Sequence, residues 1–215
     1  YKDLCNRLAV ELALSSRREM VAEYKDIYPD CPAEQICATT MHMEIESLRN
    51  TLNLLDPGRM EAAVDAMLAA RRIRLFGVGN SGVVALDMHN KLQRIGLNAH
   101  FSSDTHCQLT AASTLIDEDC ALVFSYDGPT KDMIDAVRYA LDGGATVVSI
   151  TRYGQNPIAS MADIALYVAS NESLVRAAAM SSRLAMLSMV DMLFSCVASK
   201  CHGEIVGLLR RSADM

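Results

Sequence analysis

The sequence predicts an α/β protein. The expected fold has three α-β-α layers around a doubly wound, five-stranded parallel sheet, preceded by an all-helical N-terminal segment. Three observations carry that expectation. Five short runs rich in β-branched or aromatic residues recur after residue 72, and segments of helical period separate them. Two of the runs end in turns built from glycine and hydroxyl residues. Before residue 70 no such run occurs, and the apolar spacing is helical. With 51% of residues apolar and 21% charged, the chain can fill a globular core and is not composed like a disordered one. The absence of Trp and the presence of 13 Met suit adaptable, helix-rich packing.

Taken in order, Leu4, Leu8 and Leu12 share one helical face, and Tyr28–Pro32, with two prolines, breaks the helix. Met41, Ile45, Leu48, Leu52 and Leu55 form a second apolar stripe. Asp56-Pro57 reads as an N-cap and first turn, opening a helix over 57–70 whose end is marked by the basic pair Arg71 and Arg72. A strand over 73–78 follows, then a helix to about 95, a short strand over 98–101 and a helix over 105–115. The buried run 120–125 is the next strand. A helix over 131–142, stopped by Gly143-Gly144, leads to strands over 145–151 and 164–168. A long helix over 173–200 closes the unit.

Charge and sulfur narrow the function. The net charge of −6 repels nucleic acid, and the first 56 residues hold six Lys or Arg against ten Asp or Glu. Seven cysteines, an odd set without a C-x-x-C pair, read as reduced thiols of a cytoplasmic protein. The five His lack H-x-x-x-H spacing, so no metal and no cofactor is expected. The apolar stretch over 177–198 is interrupted by Arg183 and Asp191, which makes it a buried helix rather than a membrane span.

In an open α/β sheet, ligands bind outside the C-terminal ends of the strands. Four loops therefore come forward. G-V-G-N-S-G (77–82) opens a helix and offers Gly79, Asn80, Ser81 and Gly82 to an anion, or else packs strand against helix. It has neither the dinucleotide spacing nor a Walker lysine. F-S-Y-D-G-P-T (124–130) presents Ser125, Tyr126, Asp127, Gly128 and Thr130 ahead of the next helix. Thr130 is either an ordinary N-cap or part of a phosphoryl grip. S-S-D-T-H-C-Q (102–108) holds Asp104, His106 and Gln108, read as a capping acid and a core histidine. S-N-E-S (170–173) puts Glu172 at the start of the last helix, where the dipole favours an acid. Arg176 and Arg183 on that helix are explained equally by salt bridges or by dimer contacts.

Together these loops, with N-K-L-Q-R-I-G (90–96), G-A-T-V-V-S-I-T (144–151), N-P-I-A-S-M-A-D (156–163) and S-R-L-A (182–185), resemble the SIS (sugar isomerase) domain over about residues 60–200. The version resembled is that of RpiR-family bacterial transcription regulators. The first residues, Y-K-D-L-C-N-R-L-A, look like the end of that family's helix-turn-helix domain. The resemblance implies a helix-turn-helix remnant over 1–27, a linker and connecting helix over 28–56, the SIS domain over 57–202 and a tail over 203–215. It further implies a sugar-phosphate effector gripped by Ser81 and the 125–130 loop, homo-oligomers, and DNA contacts through an N-terminal domain outside this chain. In SIS enzymes an acid assists proton transfer along an open-chain sugar, and Glu172 is the matching residue. A sugar-phosphate isomerase or lyase is thus the alternative function, and a bare oligomerisation module a third. The departure is Asp127, which stands where the family loop S-x-S-G-x-T has its second Ser. A carboxylate beside a dianion is repulsive by ~1–4 kcal/mol at 4 Å. Three outcomes are open: Asp127 turns outward, it binds a sugar hydroxyl or amine, or the ligand carries no phosphate.

Overall fold

The structure, a computed structural model, describes residues 31–170, 179–201 and 203. Leu4, Leu8 and Leu12, the proposed helix-turn-helix remnant, Glu172 and Arg176 lie outside the described residues. The chain divides into two compact units, Tyr1–His42 and Met43–Met215. Of the first, residues 31–42 are described, and they begin helix α1, Ala33–Asn53.

The second unit is built on five strands: β1 (Arg72–Phe76), β2 (Ala99–Phe101), β3 (Asp119–Phe124), β4 (Thr146–Arg152) and β5 (Ile164–Val168). They pair in the order β2-β1-β3-β4-β5, all parallel. Helices α2 (Pro57–Ala69), α3 (Asn80–Arg94), α4 (Thr105–Ala112), α5 (Lys131–Asp142), α6 (Pro157–Met161) and α7 (Met180–Lys200) cover both faces. Every residue of β3 is buried, as a central parallel strand requires.

Alternation along the strands feeds two separate cores. Ile73, Leu75, Cys120, Leu122 and Phe124 meet Met67 of α2, Met88 and Leu92 of α3, and Met186 and Leu193 of α7. Phe76, Ala121, Val123 and Val147 meet Ala112 of α4, Met133 and Val137 of α5, and Ile158 of α6. Helix α7 is long and apolar enough to cross a membrane, but its Met186, Met189, Val190 and Leu193 pack into the first core. Lys91 joins α3 to α7 by pairing with Asp87 and, at 3.1 Å, with Asp191.

Several boundaries differ from the sequence expectation. Strand β1 stops at Phe76 rather than 78, because Gly77 is withdrawn from the ladder: both its backbone groups bond the Gln108 side chain at 2.9 Å. Helix α4 stops at Ala112, where Ser113 and Thr114 bond back to nearby carbonyls. Helix α6 was not expected at all. Arg71 and Arg72 do not serve the C-terminus of α2; they turn to the head of β3 and pair with Asp119, whose side chain is fully buried. The bond from Arg72 holds the Asp119 carboxyl below the ordinary carboxylate range. Its contribution to stability is therefore present at neutral pH and is lost as pH falls through the lowered value. On α1, Met41, Ile45 and Leu52 are exposed while Ser47, Asn50 and Thr51 are buried, the reverse of a core-facing apolar stripe.

Candidate functional site

The strand order changes direction between β1 and β3, which makes their exits the switch point where α/β sheets open a crevice. A cleft of about 200 Å³ lies there. The loop after β1 gives it Val78, Asn80 and Ser81; the loop after β3 gives Ser125, Tyr126, Asp127 and Thr130; and the start of α7 gives Ala179, Ser182, Arg183 and Met186. Six of the residues expected to bind ligand thus share one small space. Gly79 sits at the N-cap of α3, Gly82 is packed in that helix against Phe101, and Gly128 supports the second loop from behind.

The first loop is held by a residue outside the cleft. Gln108, buried, accepts from the Gly77 amide and donates to the carbonyls of Gly77 and Ser102. A Cβ at Gly77 would lie 2.8 Å from the Ser81 carbonyl oxygen, so only glycine lets the turn close this tightly. Asp104 caps α4 by accepting from the Cys107 amide at 2.8 Å, as expected, but His106 is exposed and not a core histidine.

The second loop is shaped by Asn156. Gly128 adopts φ +85°, and a Cβ there would lie 2.4 Å from Asn156 Oδ1. Asn156 is itself buried; it accepts from the Ala159 amide at 2.8 Å and donates to Thr151 Oγ1 at 3.1 Å. The short helix α6 is thereby the platform against which the loop is folded. Ser125 is buried beside the cleft, its amide donating to the Ile150 carbonyl at 3.1 Å. Tyr126 closes one side through a 2.7 Å bond between its hydroxyl and Ser170 Oγ. The neighbouring Ala169 exchanges bonds with Thr51 of α1, at 3.2 and 3.1 Å, which ties the end of α1 to this wall.

Asp127 lines the cleft but is also paired, 3.9 Å from Arg152 Nε. This partner is not visible in the sequence, since Arg152 lies 25 residues on at the end of β4.

The helix starts fall into two groups. Helices α2, α4 and α6 each have a side-chain cap, from Asp56, Asp104 and Asn156. Helices α3, α5 and α7 have none: their cap residues are Gly79, Thr130 and Ala179, and the Thr130 hydroxyl makes no capping bond. Among α2 to α7, the three uncapped starts are the three that border the cleft. Backbone donors and positive dipole ends thus converge on a space lined by hydroxyls, an arrangement suited to an anion. Among the described residues no group of three or more His, Cys, Asp or Glu is placed to hold a metal. The site can bind, orient and neutralise a small anionic ligand.

Residues 66–196 match the SIS domain. The chain belongs to the SIS domain family. Among its relatives, an uncharacterized HTH-type transcriptional regulator, YbbH of Bacillus subtilis (strain 168), is 32% identical over 213 residues, covering 99% of this chain and 74% of YbbH. Another uncharacterized HTH-type transcriptional regulator, from Caldanaerobacter subterraneus subsp. tengcongensis, is 39% identical over 170 residues, 79% of this chain and 60% of that protein. The chain thus spans 60% and 74% of the lengths of these regulators. The solved structure of the Vibrio vulnificus NanR protein complexed with ManNAc-6P superposes with a TM-score of 0.78 at 26% identity, covering all of this chain and 74% of that one. The relatives of this SIS domain are HTH-type transcriptional regulators.

Three contributors to this SIS site, Arg183, Gln108 and Asn156, stand outside the ligand-binding residues expected from the sequence. Arg183 had been noted only as a salt-bridge or interface residue. Asn156 had been noted only as part of a motif, although Asn156-Pro157 repeats the cap-then-proline signal of Asp56-Pro57 and could have been found by it.

Proposed function

We propose that this SIS domain is the effector sensor of a DNA-binding transcriptional regulator of carbohydrate metabolism, and that its effector is a sugar phosphate held in the β1–β3 cleft. The observation that carries the reading is the convergence of three helix starts without side-chain caps on a hydroxyl-lined cleft at the switch point. The phosphoryl group is taken by Ser81, Ser125 and Thr130 with the amides around them. Gly79, Gly82 and Gly128 permit the turns, and Asn80, Tyr126 and Asp127 face the sugar. The likeness to NanR, solved with ManNAc-6P, supports a phosphorylated ligand. The pairing of Asp127 with Arg152 reduces its repulsion of a phosphate.

The domain senses its ligand and does not turn it over, in keeping with its regulator relatives. The exposed stripe of Met41, Ile45 and Leu52 supports a homo-oligomer. DNA is contacted through the N-terminal helix-turn-helix domain whose remnant is 1–27, with 28–56 connecting it to the sensor, in the cytoplasm.

Calorimetric titration with ManNAc-6P and a panel of hexose, pentose and keto-acid phosphates, each beside its unphosphorylated parent, tests the reading. The expected result is saturable binding of at least one phosphate and weak binding of its parent. Ligand at 100 times its Kd should add about 2.7 kcal/mol of stability. No binding across the panel would overturn the sensor, and NMR detection of an isomerised product would replace it with an enzyme.

A further inference from the structure

We propose that Arg183 is the residue that makes this site select a doubly charged phosphate over a singly charged or neutral ligand. The proposal rests on the sugar-phosphate reading above and assigns to one side chain the steepest part of the charge discrimination. Hydroxyls and backbone N–H groups also favour an anion over a sugar oxygen, but they carry only partial charges. A fixed cation discriminates by charge, because its attraction grows with the charge of the ligand.

Two features of the structure point to Arg183. It lies in the first turn of α7, one of the three uncapped helix starts, and its side chain lines the cleft. It is also uncommitted. Among the described residues Arg74, Arg94 and Arg183 pair with no carboxylate, and of these three only Arg183 lines the cleft. The other charged lining residue, Asp127, is engaged by Arg152, so the charge left for a ligand is the guanidinium of Arg183. A guanidinium can meet two phosphate oxygens at once, which a lysine ammonium does not reproduce. Arg183 is exposed at the mouth, placed to meet a dianion as it enters and to remain on it once the hydroxyls have closed around it.

The test is titration of wild type, Arg183→Gln and Arg183→Lys with ManNAc-6P, or with whichever sugar phosphate of the panel binds best, between pH 5 and 7.5. The second ionisation of a phosphate monoester falls near pH ~6. Wild-type affinity should therefore rise across this range as the dianion forms. Arg183→Gln should bind about 10- to 100-fold more weakly at pH 7.5, with much of that rise gone. Arg183→Lys should recover part of the affinity and most of the pH dependence. Melting temperatures without ligand should be the same for all three proteins, since the side chain is exposed and unpaired. If wild type binds and Arg183→Gln matches it in affinity and pH slope, Arg183 is not the charge reader, while the sensor reading stands. If wild type binds no phosphate at all, it is the sensor reading that fails.

Discussion

Helices α4 and α5 are neighbours on the same core, yet their first turns are finished differently. Helix α4 starts at Asp104, whose carboxylate takes the Cys107 amide; α5 starts at Thr130, whose hydroxyl is equally able to cap and does not. The same division separates α2 and α6 from α3 and α7. An N-cap contributes about 1 kcal/mol to a helix, so leaving it out is a cost that packing elsewhere must offset. The three helices that forgo it are those that border the cleft. Side-chain capping is used at the three starts that do not open on the cleft, including the buried Asn156 behind the second loop, and is omitted at the three that do. The contrast also explains why a threonine in a cap position is ambiguous in sequence: the residue type is right for both tasks, and only its partner tells them apart.

The comparison can be broken at several points. Gly128→Ala should have the largest effect. A side chain at φ +85° costs roughly 1–2 kcal/mol, and the new Cβ would meet Asn156. Ligand binding should be lost and the melting temperature lowered; retained calorimetric affinity would mean the loop is not held by this contact. Thr130→Asp should split stability from function. Aspartate caps as well as threonine, so the fold should hold or gain slightly, while a charge facing the phosphate should weaken binding by about 100-fold or more. Equal affinity would place Thr130 outside the grip. Ser125→Ala should weaken binding by about tenfold with the fold intact, as expected for one lost hydrogen bond to a charged group. Asp56→Ala is the control from the capped group: it should cost about 1 kcal/mol in urea unfolding and leave affinity unchanged. The smallest change is expected from Asp127→Ser, a tightening of a few-fold, because Arg152 already offsets the carboxylate. A loss of affinity there would mean that Asp127 contacts the sugar.

Much of the fold could be read from local pattern. The bounds of α5 and β5 were legible to the residue, because each element is marked at both ends: Thr130 and Gly143 for the helix, polar turns for the strand. Periodicity located the helix that carries Met41, Ile45, Leu48 and Leu52 and left its facing open: Met41, Ile45 and Leu52 are exposed, Leu55 just beyond it packs on the first core, and Thr51 bonds to Ala169. Spacing shows that a helix has an apolar face and cannot show which neighbour receives it. The candidate site divided similarly. The two strand-to-helix loops were evident from their glycines and hydroxyls. Gln108 and Asn156, which hold those loops, act from other elements, and their sequence distance from Gly77 and Gly128 hides the contact.

Local sequence is therefore enough to specify the alternation of strands and helices, the two loops at strand exits and the residue types that could meet an anion. Each of these depends on interactions within a few residues, where hydrophobic period, turn chemistry and capping preference act. The tertiary structure alone decided which strands became neighbours and so where the chain direction reverses. It placed the start of α7, with Arg183, opposite loops more than 50 residues earlier. It also turned Asp127 from an isolated acid in a phosphate loop into half of an ion pair with Arg152. Charge and hydrogen-bond partners act through space, and the partner of Asp127 exists only once β3 and β4 lie side by side.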